Sequence, residues 1–495
     1  MSTANWSTAK QPPSYRLTRW LFLRLLGIVY LFAFASLYPQ IPGLIGSNGI
    51  LPAGPFLEAV RIRYGIEAYR LLPTLAWLNP GDAFLQFLCL GGILLSALLI
   101  WGIFTPPICA ALWIFYLSLA VAGQIFMGYQ WDALLLETGF LAIFLAPLRI
   151  RPDLSREGEP SSIVVWLFRW LLFRLMFGSA VVKLASGDPA WQDLVALSYH
   201  YETQPIPTPL AWYAHQLPLW IHVLSAIGMF VIEGILPFLI FAPLRKLRYL
   251  AAGGVVLLQV LIMLTGNYTF FNLLTIALCV LLLDDTVVRR LLPKTLSSVT
   301  PGNPVVRPQW QRALEIGLAV FLLFLSSIQL ASLFIPYQRL PAPALEVARW
   351  FAPFSLVNRY GLFAVMTTSR PEIIVEGSND GETWLAYEFP YKPGDVMRPP
   401  PFVAPHQPRL DWQMWFAALG TANENPWFSN FMLRLVEGAP EVLALLERNP
   451  FPDAPPRFIR AVVYDYRFTD FATRAASGAW WERERQGVYF PVSPL

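Results

Sequence analysis

The chain has 495 residues, 56% hydrophobic, 15% aromatic and 14% charged, and its 36 basic and 32 acidic side chains leave a net charge of +4. A soluble globular domain is about 25% charged, so this composition excludes a disordered chain and an ordinary cytosolic enzyme, and the near-balance of charge excludes a nucleic-acid binder. The mean hydropathy of +0.48 indicates a polytopic membrane protein.

A membrane helix needs about 20 mostly apolar residues. The candidate spans in chain order are 17–38, 83–103, 106–126, 131–148, 163–186, 219–242, 248–265, 269–284 and 314–335. The run Leu17 to Tyr38 is longer than the about 7–15 apolar residues of a signal-peptide core and no small-residue cleavage motif follows it, so it reads as a signal anchor. Segment 56–79 mixes Arg61, Arg63, Glu67 and Arg70 with Val60, Ile62, Ile66, Leu71 and Leu72 and is expected to lie on the membrane interface. The fourth and eighth spans are short. The seventh and eighth are separated only by Gly266-Asn-Tyr-Thr and read as a helical hairpin or a re-entrant pair. Cys89, Cys109 and Cys279 lie inside apolar runs and read as small packing residues.

Loop charge orients the spans. With the N-terminus inside, the inner segments hold Lys10 and Arg16, then Arg149, Arg151 and Arg156, then Arg245 and Lys246, then Arg289, Arg290, Lys294, Arg307 and Arg312. The outer loops 187–218 and 266–268 hold no Lys or Arg, which is the positive-inside pattern. It places the N-terminus in the cytoplasm and residues 337–495 outside it. The expected division is a helical membrane domain over 1–336 and an extracytoplasmic domain over 337–495. In the latter, Glu372-Ile-Ile-Val-Glu-Gly, Asn379-Asp-Gly and Thr383-Trp-Leu-Ala-Tyr-Glu-Phe read as a β-hairpin. Arg460–Phe468 reads as a strand, and Leu410–Leu419 and Asn430–Arg448 as helices. The fold class is a polytopic α-helical bundle of about nine spans followed by a β-rich α+β domain, expected as a sandwich with its own core.

Ionisable residues within spans are costly and usually paired or functional. Helix rise puts Arg174 level with Glu233 near the midplane, and Lys183 level with Glu137 and Asp132 toward the outer side. The expected pairs are Arg174 with Glu233, and Lys183 with Glu137 or Asp132. They read as ion pairs within a bundle, or as a polar site opening outward at Lys183, where a desolvated lysine is able to act as a base. The outer loop 187–218 is the densest polar stretch between spans. Its His200, Glu202, His215 and His222 match no metal-site spacing, and the chain has no GxSxG elbow, P-loop or GxGxxG. Asn267-Tyr-Thr is a glycosylation sequon close to the bilayer.

Several blocks closely resemble the lipase maturation factor family. They are Arg169-Trp-Leu-Leu-Phe-Arg-Leu-Met-Phe-Gly-Ser-Ala-Val-Val-Lys-Leu, Gly187-Asp-Pro-Ala-Trp-Gln-Asp-Leu and His200-Tyr-Glu-Thr-Gln-Pro-Ile-Pro-Thr-Pro. Gln40–Pro52, Gln130-Trp-Asp-Ala-Leu-Leu-Leu-Glu, Asn267-Tyr-Thr-Phe-Phe-Asn, Asn358-Arg-Tyr-Gly and Arg409-Leu-Asp-Trp-Gln-Met-Trp continue the likeness over about 20–490. The resemblance implies a non-catalytic membrane maturation factor, without cofactor or metal, that helps an exported client, a lipase in the known members, to fold or assemble. It singles out the loop residues Asp188, Trp191, His200, Tyr201, Glu202 and Gln204. Outer tryptophans, Trp412 and Trp415 above all among Trp384, Trp427, Trp480 and Trp481, are candidate client contacts. Missing disulfides and short inner loops favour a bacterial cytoplasmic membrane, and a eukaryotic source implies the endoplasmic reticulum membrane. The membrane half is also similar to the horizontally transferred transmembrane domain of vitamin K-dependent carboxylases. That second resemblance implies an alternative, an enzyme with a quinone or lipid cofactor and Lys183 as the base.

Overall fold

The computed structural model describes residues 14–147, 150, 154, 157–293 and 308–494. Lys10, Arg149, Arg151, Arg156, Lys294 and Arg307 of the inner-loop charge pattern, and the end of span 131–148, lie outside them. The helices that frame the molecule are α1 (Arg16–Leu37), α2 (Asp82–Trp101), α3 (Thr105–Ala122), α4 (Gln130–Leu145), α5 (Ser162–Ala185), α6 (Leu219–Phe230), α7 (Arg245–Thr265), α8 (Phe271–Val280), α9 (Gln309–Ala331), α10 (Arg409–Ala418) and α11 (Pro426–Val436). Helices α1, α2, α3, α5, α7 and α9, together with the stretch Leu219–Phe241, are long and apolar enough to cross a membrane. The other two expected spans are shorter. α4 has 16 residues, about 24 Å of rise, and α8 has 10, about half a hydrocarbon core.

Local chemistry sets these boundaries. Gly102, at φ +84°, ends α2 in the left-handed conformation that glycine adopts without cost, and Pro106 lies in the first turn of α3. The Ser161 hydroxyl caps α5 by accepting from the Val164 amide at 3.4 Å. The span 219–242, expected as one helix, is broken. After α6 the chain takes a π turn over Val231–Ile235 and a 3-10 turn over Leu236–Phe241. Pro237 explains the break, because its missing N–H leaves the Glu233 carbonyl without its α-helical donor. The amphipathic segment 56–79 is also not one helix. Gly65, at φ +57°, ends Ala53–Tyr64, and short turns follow at Gly65–Glu67, Ala68–Leu71 and Leu75–Trp77. Ile62 and Ile66 are 77% and 86% exposed.

α1 runs through the bundle against α2, α4 and α8, while α3 bridges α2 to α4. α5 is the most enclosed of the long apolar helices, and it carries Arg169, Arg174 and Lys183. The C-terminal region holds a four-stranded antiparallel sheet of order β2-β1-β3-β4, with β1 Pro371–Ser378, β2 Leu385–Ala386, β3 Phe458–Phe468 and β4 Trp481–Pro494. The expected hairpin is β1–β2, paired through Glu376 with Ala386 and Gly377 with Leu385. The expected sandwich is not found among the described residues. One face of the sheet packs on α10 and α11, with Phe428 5.0 Å from Tyr489 of β4. The other face meets the helix Pro209–His215 of the outer loop, where Ile374, Tyr466, Phe468 and Trp481 surround Trp212. Helices cover both faces, so no second sheet is needed. The main core runs without interruption across residue 336: Trp412 of α10 stands edge-on to Trp131 of α4 at 4.7 Å between ring centroids.

Candidate functional site

The loop 187–218, expected on the outer side, is where the singled-out motif residues gather. Gly187, at φ +73°, turns the chain off the end of α5. Asp188 then caps the turn Pro189–Gln192, its Oδ1 accepting from Ala190 N at 3.0 Å, while its Oδ2 accepts from the Met366 amide. Trp191 Nε1 donates to the Phe363 carbonyl at 2.9 Å. Helix Ala196–Thr203 carries His200, Tyr201 and Glu202. The His200 ring meets Phe363 edge-on at 4.8 Å, and its Nε2 lies 3.3 Å from the Tyr268 hydroxyl. Burial, helped by the Lys183 charge, pushes the His200 imidazole down to about 4, so it is neutral at physiological pH. Glu202 Oε2 accepts from Phe468 N of β3 at 2.6 Å. Gln204 bridges α7 and the turn after it, donating to Thr265 O at 2.8 Å and accepting from Tyr268 at 3.1 Å.

Residues beyond 336 clasp this loop. The fully buried Arg370 guanidinium donates to the carbonyls of Glu202, Gln204 and Pro205. Trp415 Nε1 donates to Thr203 O at 2.9 Å. Asn267 accepts from the amides of Val403 and Ala404 and donates to Ile206 O and Pro401 O. It is 3% exposed, so the folded protein hides its sequon from glycosylation. Trp412 and Trp415, expected as client contacts, are 3% and 5% exposed: Trp412 stands edge-on to Trp131 and Tyr268, and Trp415 holds the loop through Thr203 O. Trp427 and Trp481 are buried as well. Trp384 and Trp480 are half-buried under Arg460 and Arg474, at 3.8 and 3.5 Å.

The ion pairs exchange partners relative to the depth match. Lys183 Nζ binds Glu233 Oε2 at 2.7 Å. Arg174 binds Glu137, whose other oxygen accepts from Asn358 N at 3.0 Å and Tyr360 OH at 2.8 Å. Asp132 pairs with Arg409, oxygen by oxygen at 2.9 and 3.1 Å, and accepts from the Tyr116 hydroxyl. Counting rise from span ends assumes continuous α-helices, and Glu233 lies instead in the π turn Val231–Ile235. Arg409, Asn358, Tyr360 and Arg370 lie beyond the spans, so depth matching among the spans does not reach them. Asn358, Tyr360 and Arg409 have a signal in the Asn358-Arg-Tyr-Gly and Arg409-Leu-Asp-Trp blocks, and Arg370 lies outside both. His215 Nε2 lies 3.7 Å from Glu202, and among the described residues no group of three His, Cys, Asp or Glu side chains is placed to hold a metal ion.

A family model described as the lipase maturation factor transmembrane domain matches residues 17–290, and one described as the lipase maturation factor C-terminal domain matches 356–491. Lipase maturation factor 2 of Homo sapiens is 40% identical over 97% of this chain and 83% of its own length. The chain belongs to the lipase maturation factor family. Lipase maturation factor 2 of Gallus gallus is also 40% identical, over 97% of this chain and 82% of its own. Lipase maturation factor 1 of Bos taurus is 36% identical over 97% and 89%. No solved structure matches. These findings give the carboxylase-like alternative no support. In this lipase maturation factor the clasp joins the two matched stretches: Asp132, Glu137 and Glu202 belong to the first, and Arg409, Asn358, Tyr360 and Arg370 to the second.

Proposed function

We propose that this integral membrane protein assists the folding or assembly of exported lipase-like clients. The observation that carries the reading is the match to lipase maturation factors across 97% of the chain. The proposed arrangement keeps the N-terminus cytoplasmic, with seven long helices and the shorter α4 and α8 as the nine membrane segments. Residues 337–495 and the outer loop then lie together on the far side, where exported proteins fold. The positive-inside charge pattern supports this orientation. The clasp supports it too, since Arg370 and Trp415 require loop and sheet to share one side. Asp188, Trp191, His200, Tyr201, Glu202 and Gln204 act as positioning residues that seat the outer region on the bundle. The proposed membrane is the bacterial cytoplasmic membrane, or that of the endoplasmic reticulum in a eukaryotic cell.

The test is the specific activity of exported lipases per mass of secreted enzyme, with and without this chain. Normal mass with reduced activity is expected. Equal specific activity in both strains removes the reading.

A further inference from the structure

A cavity of about 440 Å³ lies between α5, the broken stretch Leu219–Phe241, α7 and the outer helix Ala196–Thr203. Small-molecule sites occupy about 300–1,000 Å³. Its wall is mainly apolar, with Leu175, Met176, Met229, Leu258, Ile262 and Phe271. The mouth is rimmed by Leu210, Leu217, Leu261 and Leu264, each 40–49% exposed. Leu261 and Leu264 sit in the last two turns of α7, so the mouth opens at the end of an apolar helix long enough to cross a membrane.

The polar groups inside carry no net charge. Lys183, the sole Lys or Arg among the described lining residues, is neutralised by Glu233 at 2.7 Å. His200 is neutral at physiological pH, as described above. The cavity therefore offers no free cation to a carboxylate or phosphate. It does offer an unused acceptor. Asn272 is 1% exposed and lines the cavity, and its Nδ2 donates to Gln259 Oε1 at 2.9 Å while its Oδ1 has no partner. A buried acceptor left unmade costs about 1–3 kcal/mol, and a ligand hydroxyl at the wall removes that cost.

We propose that this cavity binds a neutral lipid drawn from the membrane, with its chain along the apolar wall and a hydroxyl of its uncharged head donating to Asn272 Oδ1. The test uses the full-length protein in detergent, titrated with 1-monooleoylglycerol or with oleate and read by native mass spectrometry. Monooleoylglycerol is expected to be retained, and oleate, charged at neutral pH, to be retained about tenfold less. Asn272→Leu keeps the side-chain size, removes the acceptor and weakens retention by roughly tenfold, the worth of one hydrogen bond. Met229→Trp fills the cavity and abolishes retention. Leu94→Trp, on an exposed position of α2 away from the cavity, leaves retention unchanged. Wild-type retention by Met229→Trp, or tighter binding of oleate than of monooleoylglycerol, overturns the assignment. Should Met229→Trp fail to fold, Asn272→Leu decides, since undiminished affinity there overturns the proposal equally.

Discussion

Asp132 shows how this protein carries charge in an apolar interior. The carboxylate and the Arg409 guanidinium are each almost fully buried, and both carboxylate oxygens are engaged. Two ions withdrawn from water are held by mutual attraction and by hydrogen bonds to both carboxylate oxygens, and removing one leaves the other uncompensated. Arg409→Met is expected to lower stability by about 3–5 kcal/mol. The double variant Asp132→Leu/Arg409→Met recovers most of that loss, because an apolar pair of similar volume avoids the desolvation cost. Thermal denaturation in detergent checks this, and a single variant as stable as the double one contradicts it. Glu137 is held by the same logic through Arg174, Tyr360 and the Asn358 amide.

At the scale of elements, two segments respond to acid in opposite directions. The neutral His200 on helix Ala196–Thr203 titrates at about 4 rather than 6.5, so its contribution to stability is complete above 6.5 and is lost as pH falls toward 4. Asp411 on α10 is raised by burial to about 6, against the lowering effect of hydrogen bonds from the Lys392 and Tyr391 amides. A carboxyl raised in this way contributes most below 3.8, and that contribution is lost as pH rises through about 6. Between pH 7 and 4.5, protection from hydrogen exchange, measured against the intrinsic rate at each pH, is therefore expected to fall in 196–204 and to rise in 391–411. Protection falling in both segments contradicts the assignment.

The same elements show what the sequence made legible. Long apolar runs and the Asn379-Asp-Gly turn were readable because period and turn chemistry are local. β4 was not readable, since after the buried Trp481 the run Glu482-Arg-Glu-Arg-Gln carries charge at consecutive positions and is exposed along an edge strand. The helix expected over Asn430–Arg448 ends at Val436, with Gly438 at φ +65° and Pro440 opening a separate turn. The loop residues were legible as a motif. Their clasp to Arg370, Trp415 and β3 was not, because pairing over such separations has no local signature.

For the whole molecule, the decisive feature is that buried charges in the membrane half are completed by residues beyond 336. A chain ending at 336 leaves Asp132 without Arg409, and Glu137 without Asn358 and Tyr360. Its steady-state level is expected to fall well below that of the full chain. Asp132→Leu/Glu137→Leu within the truncated chain is expected to restore part of it. A truncated chain as abundant as the full one sinks the idea.

The same arrangement sets a timetable for synthesis. Arg409 lies 277 positions after Asp132, and ribosomes add about 5–20 residues each second. The guanidinium thus arrives on the order of tens of seconds after its carboxylate has been made. During that wait the Asp132 carboxylate has the Tyr116 hydroxyl, made 16 positions earlier, to hold it, and its ion pair is completed only when the late part of the chain docks.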